Sequence, residues 1–133
     1  MSIYKTYTTM AGKDENEFDP ETMMEVYEIT SALERKNIIQ TNKVVVIDYY
    51  TSWCGPCKTC APQFSMLAKK YGNAGLCAFI KEDVDKEFDE IPGKGIQGVP
   101  CFHFYINGYF QPKMTITGAD IAGVEQNVQN LLR

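Results

Sequence analysis

Cys54 and Cys57 flank Gly55-Pro56 in the segment Trp53-Cys54-Gly55-Pro56-Cys57. Two thiols at that spacing can close a small disulfide ring without moving the backbone far. The residues before them, Val44-Val45-Val46-Ile47-Asp48-Tyr49-Tyr50, form a β-branched and aromatic run, the pattern of a strand buried on both faces. The residues after them repeat at helical spacing: Cys60, Phe64, Leu67 and Tyr71 define a buried stripe over 57–71. The pair therefore stands where a strand hands over to a helix. Cys54 falls at the helix N-terminus, where unpaired N–H groups and the helix dipole favour a thiolate. The thiolate is the species that attacks a disulfide, so position and reactivity agree. Pro56 suits the first helical turn because its missing donor would be unpaired there anyway. The segment reads as a redox-active dithiol.

Two other readings compete with that one. A Cys-x-x-Cys can occur by chance, although seldom between a buried strand and a helix. Cys54, Cys57 and Cys60 also form a C-x2-C-x2-C run of the kind that holds a metal or an iron–sulfur cluster. Such a cluster needs a suitably placed fourth ligand, and a helix through Cys57 and Cys60 turns Cys60 toward the core.

The elements around the dithiol follow from the rest of the pattern. The chain has 133 residues, the size of one ordinary domain. Its hydrophobic share of 44% and charged share of 23% are those of a globular protein with a proper core. A net charge of −4 and no block of basic residues argue against nucleic acid or an anionic membrane as partner. The apolar run Val44-Val45-Val46-Ile47 is far short of a membrane span, no apolar run in the sequence approaches one, and the first residues lack a signal-peptide pattern. A cytoplasmic, reducing compartment is the expectation. Five cysteines, an odd number, also suit a disulfide framework badly there.

Residues 1–22 are polar and acidic and read as an extension, with 23–133 as the domain. Within the extension, 3–7 could form an edge strand, or a helix could start at Asp19 with Pro20 at its first position. A strand at 26–30 is followed by Ser31-Ala32-Leu33-Glu34, the spacing of a capping box, and a helix to about Gln40. Pro62 lies inside the helix after the cysteines and should kink it. A third strand covers 76–84, one helical turn 87–91 is cut short by Pro92-Gly93, and a fourth strand spans 102–106. Asn107-Gly108 predicts a hairpin to an antiparallel fifth strand. A last helix starts at Asp120 and buries Ile121, Val124, Val128 and Leu131. The order is that of an α/β fold: a mixed sheet with helices on both faces.

Over residues 25–133 the sequence resembles the thioredoxin family. VVVIDYYTSWCGPCKTCAP is similar to the family's strand, active site and helix, FIKEDVD to its third strand, GIQGVP to its cis-proline loop and INGYF to its final hairpin. The resemblance implies a thioredoxin-like three-layer α/β/α fold with a mixed sheet of about five strands. It implies a protein-disulfide reductase working by thiol–disulfide exchange, with Cys54 as nucleophile and Cys57 as resolving thiol. Asp48 matches the family's buried carboxylate, which can take a proton from Cys57, and Lys81 matches the lysine near it. Pro100 matches the cis-proline, placing the Val99 backbone beside Cys54, where it can bind an extended substrate segment. Trp53, with Gly55 and Pro56, completes the docking surface. The resemblance implies no bound cofactor or metal, a monomer, oxidised proteins as substrates, and electrons from an NADPH-linked thioredoxin reductase. Gly-Pro between the cysteines resembles the reducing members, whereas isomerases and oxidases commonly carry His there and glutathione-dependent reductases Tyr.

Departures from the family pattern leave alternatives open. Tyr49-Tyr50-Thr51 stands where Phe-Trp-Ala or Phe-Thr-Ala is common, and the hairpin before Gly118 is about two residues long. Cys101 replaces the usual Thr after Pro100; it should lie near the active site, as a third redox thiol or as inert packing. Cys60 and Cys77 read as small core residues and His103 as structural. An interaction module, with the acidic N-terminus and altered loops as contact surfaces, is the rival to the reductase; a redox sensor using Cys101 is another.

Overall fold

The computed structural model of the protein describes residues 25–88 and 95–133. The expected extension over 1–22, with its alternative strand or helix, lies outside the described residues, as does the Pro92-Gly93 break. The described elements are β1 (Tyr27–Glu28), α1 (Ala32–Thr41), β2 (Val44–Tyr50), α2 (Gly55–Tyr71), β3 (Cys77–Asp83), β4 (Cys101–Ile106), β5 (Tyr109–Phe110), β6 (Ile116–Thr117) and α3 (Ile121–Leu132). Short 3-10 turns cover Val84–Lys86 and Pro112–Met114.

The sheet is mixed, as expected, and runs β1-β3-β2-β4-β5 with β6 also paired to β4. β2 lies parallel to β3 and antiparallel to β4, so its apolar run is enclosed by neighbours on both edges. Its first six residues are buried. On one face Val45, Ile47 and Tyr49 pack with Ile80 and Tyr105 under Ile38 of α1. On the other, Val44 and Val46 pack with Phe79, Phe102 and Phe104 under Cys60, Phe64 and Leu67 of α2 and Val124 and Val128 of α3. Each such side chain contributes about 1.5–3 kcal/mol by leaving water. Helices therefore cover both faces, giving the three-layer α/β/α arrangement.

Several expectations need correction in detail. The first strand is two residues rather than five, because only Tyr27 and Glu28 pair with β3. A sixth strand, Ile116–Thr117, closes on β4 at Cys101 and Phe102. The capping-box spacing does place Ser31 and Glu34 each on a backbone N–H, the one taken by Glu34 being that of Thr30. The Glu34 carboxylate accepts from the Thr30 N–H and hydroxyl, both at 2.6 Å, while Ser31 Oγ accepts the Glu34 N–H at 3.1 Å. The helical turn expected at 87–91 lies mostly outside the described residues; just before it, Asp83 accepts the Asp85 N–H and opens a Val84–Lys86 turn, which Glu87, at φ 51°, ends. The hairpin follows its signal, since Asn107 (φ 50°) and Gly108 (φ 85°) both take the positive φ of a tight primed turn.

Long-range polar ties hold the layers in register. Asn42, buried, donates to Ile38 O and accepts the Gly75 N–H, joining the end of α1 to the turn before β3. Tyr71 and Lys70 of α2 both bind Glu125 of α3. Arg35 of α1 pairs with Glu82 of β3 at 2.7 Å, with side chains 7% and 1% exposed. Removing one member of a buried pair leaves the other charge uncompensated. Arg35→Met is therefore expected to lower stability by about 3–5 kcal/mol in urea denaturation, and the double variant Arg35→Met/Glu82→Leu to recover most of that loss.

Candidate active site

The chain leaves β2 at Tyr50, crosses Thr51-Ser52-Trp53 and enters α2 with Cys54 as its N-cap. At most helix starts a Ser, Thr, Asp or Asn oxygen takes the first free N–H groups. Here the Cys54 sulfur does so, accepting the Cys57 N–H at 3.1 Å. A thiolate at that atom gains both the hydrogen bond and the positive end of the helix dipole. Cys54 and Cys57 are joined as a disulfide with Cα atoms 5.3 Å apart. Both are 4% exposed, while Trp53, Gly55 and Pro56 around them are exposed. Little of either cysteine faces outward, beside the exposed Trp53, Gly55 and Pro56.

Trp53 is 71% exposed, so it is a surface side chain and not a core one. Its indole N–H donates to Asp85 at 3.0 Å, which fixes the ring to the turn after β3. The Val99–Pro100 bond is cis. Pro100 leads straight into β4, whose first residue Cys101 pairs with Tyr49 of β2. The antiparallel register thus brings Val99 and Pro100 to the sheet end from which the chain continues to Cys54. The Pro100 carbonyl is held by the Gly118 N–H at 2.7 Å.

Asp48 and Lys81 are register partners across β2 and β3. Asp48 is 4% exposed and its Oδ1 has no hydrogen-bond partner. Burial pushes its carboxyl up to about 7, against the downward pull of Lys81. The two line a cavity of about 210 Å³ with Tyr50, Thr51, Ser52, Lys58, Ala61 and Cys57. The buried carboxylate and Cys57 therefore line one partly open space, large enough for water.

The three remaining cysteines behave differently from the pair. Cys60 turns into the core beneath α2, its thiol donating to Cys57 O at 3.6 Å, and burial raises its pKa. Cys77 is fully buried in β3 and its thiol is pushed up to about 12. Cys101 follows Pro100 but points to the other face of the sheet from Asp48. It lines a separate cavity with His103, Phe110 and Thr117, accepts from the Thr117 hydroxyl at 3.9 Å, and burial raises its pKa. A buried thiol with a raised pKa is a poor nucleophile. His103 is buried between Tyr49 and Phe110, and burial pushes it down to about 4, which keeps it neutral.

Sequence reasoning passed over Glu28 and Asp85 and treated Tyr50 only as a departure. Tyr50 OH donates to Glu28, and Lys81 Nζ lies 5.6 Å from the Tyr50 ring centre. No local signal marks these contacts, because they join residues far apart in the chain.

The raised pKa of Asp48 carries a stability consequence. Between the ordinary carboxyl value and about pH 7 the unfolded chain has lost a proton that the folded protein keeps, so stability falls as pH rises through that window. Below it the effect vanishes, and above it the loss is constant at roughly 4 kcal/mol. Asp48→Asn is expected to be more stable than the parent at pH 8 by a sizeable part of that amount, and equal to it near pH 3, as denaturant melts at the two pH values would show.

Comparison with known proteins agrees with this geometry. The family model "Thioredoxin" matches residues 25–130. Thioredoxin-1 of Schizosaccharomyces pombe is 35% identical over 104 residues, covering 78% of this chain and 96% of that protein. Thioredoxin of Neurospora crassa is 32% identical over 111 residues, covering 81% and 87%. Among solved structures, Plasmodium falciparum thioredoxin superposes with a TM-score of 0.67 at 35% identity, covering 79% of this chain and 98% of that one. Malassezia sympodialis thioredoxin gives 0.70 at 32%, covering 82% and 95%. The chain belongs to the thioredoxin family and is a thioredoxin-like protein-disulfide reductase.

Proposed function

We propose that Cys54 is the attacking thiol and Cys57 the resolving thiol of this reductase. The Cys54 thiolate attacks one sulfur of a substrate disulfide; a Cys54–substrate S–S bond forms, the substrate S–S bond breaks, and one substrate thiol leaves. Cys57 then loses its proton, attacks the Cys54 sulfur and releases the second thiol. The substrate gains two electrons and two protons, and the Cys54–Cys57 disulfide closes. The observation that carries this assignment is the Cys54 sulfur at the N-cap of α2, accepting the Cys57 N–H, with Cys57 itself within the first helical turn.

Asp48 serves as the base for Cys57, acting through water in the cavity the two share. A carboxyl raised to about 7 is matched to proton transfer near neutral pH. Lys81 acts on Asp48 through its charge. Trp53, Gly55 and Pro56 form the apolar part of the docking surface, and the Val99 backbone before Pro100 binds an extended substrate segment as an added strand. Residues 23–133 make up the catalytic domain and 1–22 an extension of it. The chain works as a monomer in the cytoplasm, recharged by an NADPH-linked thioredoxin reductase; no helix among the described residues is long and apolar enough to cross a membrane.

The test is reduction of insulin by dithiothreitol, followed as turbidity. The parent protein is expected to accelerate it, and Cys54→Ser to fall to the uncatalysed rate. Cys57→Ser should retain the first step and accumulate a mixed disulfide visible by mass spectrometry. Equal rates for the parent and Cys54→Ser would refute the assignment.

A further inference from the structure

At the C-terminal end of the sheet, Glu28 of β1, Lys81 of β3 and Asp48 of β2 stand side by side in register. Tyr50, two residues after Asp48, points to the same face. Lys81 makes no direct ion pair with Asp48, whose Oδ1 stays unpartnered although the two line one cavity. Its ammonium lies instead over the face of Tyr50, 5.6 Å from the ring centre, where the negative face of the ring attracts a cation. The Tyr50 hydroxyl is in turn tied to the Glu28 carboxylate.

We propose that Tyr50, anchored by Glu28, is a positioning residue for the resolving step: its ring holds the Lys81 ammonium at the rim of the Asp48–Cys57 cavity and off the carboxylate. The proposal rests on the reading of Asp48 as the base for Cys57. A lysine docked directly on Asp48 would keep it a permanently charged, weak base. A lysine drawn off to Glu28 would leave Asp48 protonated beyond neutral pH. Holding the ammonium between these limits balances burial against attraction. Tyr50 thereby engages both competitors at once, Glu28 through its hydroxyl and Lys81 through its ring.

The ionisable groups within electrostatic reach of Asp48 are Lys81 from β3, Tyr50 from its own strand, Cys57, Lys58 and Cys60 from α2, and Cys101 from β4. Cys60 and Cys101 carry raised pKa values, so neither takes charge near neutral pH. Lys58 lies on the α2 side of the cavity and does not touch Tyr50's anchor. Lys81 is the charge that Tyr50 can move.

Tyr50→Phe keeps the ring and frees Glu28 to draw Lys81 away. The pH profile of the resolving step is read by stopped-flow release of the second thionitrobenzoate from the full-length reduced protein and an aromatic disulfide. The inflection due to Asp48 is expected to rise by about 0.5 pH unit, with the rate at pH 7 about two-fold lower. In a Lys81→Met background the same substitution should move nothing, because the charge it displaces is gone. Tyr50→Phe with an unmoved inflection overturns the proposal, and so does an equal shift with and without Lys81. Asp48→Asn separates the two readings: loss of the inflection in that variant keeps the base assignment even if Tyr50→Phe fails, whereas its persistence removes the base and the positioning role together.

Discussion

A sulfur atom occupies the place at the start of α2 where an oxygen usually caps a helix. Cys54 Sγ accepts the Cys57 N–H, and from that one contact the rest of the site takes its form. The helix must begin directly after Cys54, so Pro56 sits in its first turn, where the lost donor costs nothing. Cys57 must lie within the first turn of the helix, close enough for its sulfur to bond that of Cys54. The sheet must end at the same level, so that β2 delivers both Asp48 from beneath and the loop to Cys54 from the side. The two core layers serve this junction: Phe64, Phe79 and Phe102 clamp α2 to the sheet just below the dithiol.

The second constraint is the buried carboxylate. A buried, unpaired oxygen of Asp48 is expensive, and a protein selected only for stability would place an amide or an apolar group there. Its retention beside Cys57 is understandable if its proton affinity near neutral pH is needed. The cluster of Lys81, Tyr50 and Glu28 then belongs to the same device, spread over three strands whose register alone brings the groups together. Stability and reactivity pull against each other at this one residue, and the Arg35–Glu82 pair on the opposite face is a structural tie without access to the dithiol.

What the sequence made legible was whatever rests on short spacing. Cys60, Phe64, Leu67 and Tyr71 declare a helix and its buried stripe, Asp48 stands out as a charge inside an apolar run, and Asn107-Gly108 marks its own turn. The cap of the last helix is legible for the same reason: Asp120 accepts the Gly123 N–H at 3.0 Å. Contacts between distant residues were not. Trp53 with Asp85 and Tyr50 with Glu28 depend on strand register, and nothing near either acidic residue distinguishes it from an ordinary surface charge. β6 escaped because two residues cannot show a period. The side of the sheet on which Cys101 falls also had to be seen: neighbouring Pro100 in sequence suggests the active site, yet alternation along β4 turns its sulfur to the other face.

The central claim is that the Cys54–Cys57 pair works as a donor of electrons to other disulfides. Its reduction potential tests this most directly, measured by equilibrating the protein with graded dithiothreitol buffers and counting the fraction oxidised. The account predicts a value below about −230 mV, on the reducing side of the glutaredoxins. A value at or above about −200 mV, toward the isomerases and oxidants, would contradict it.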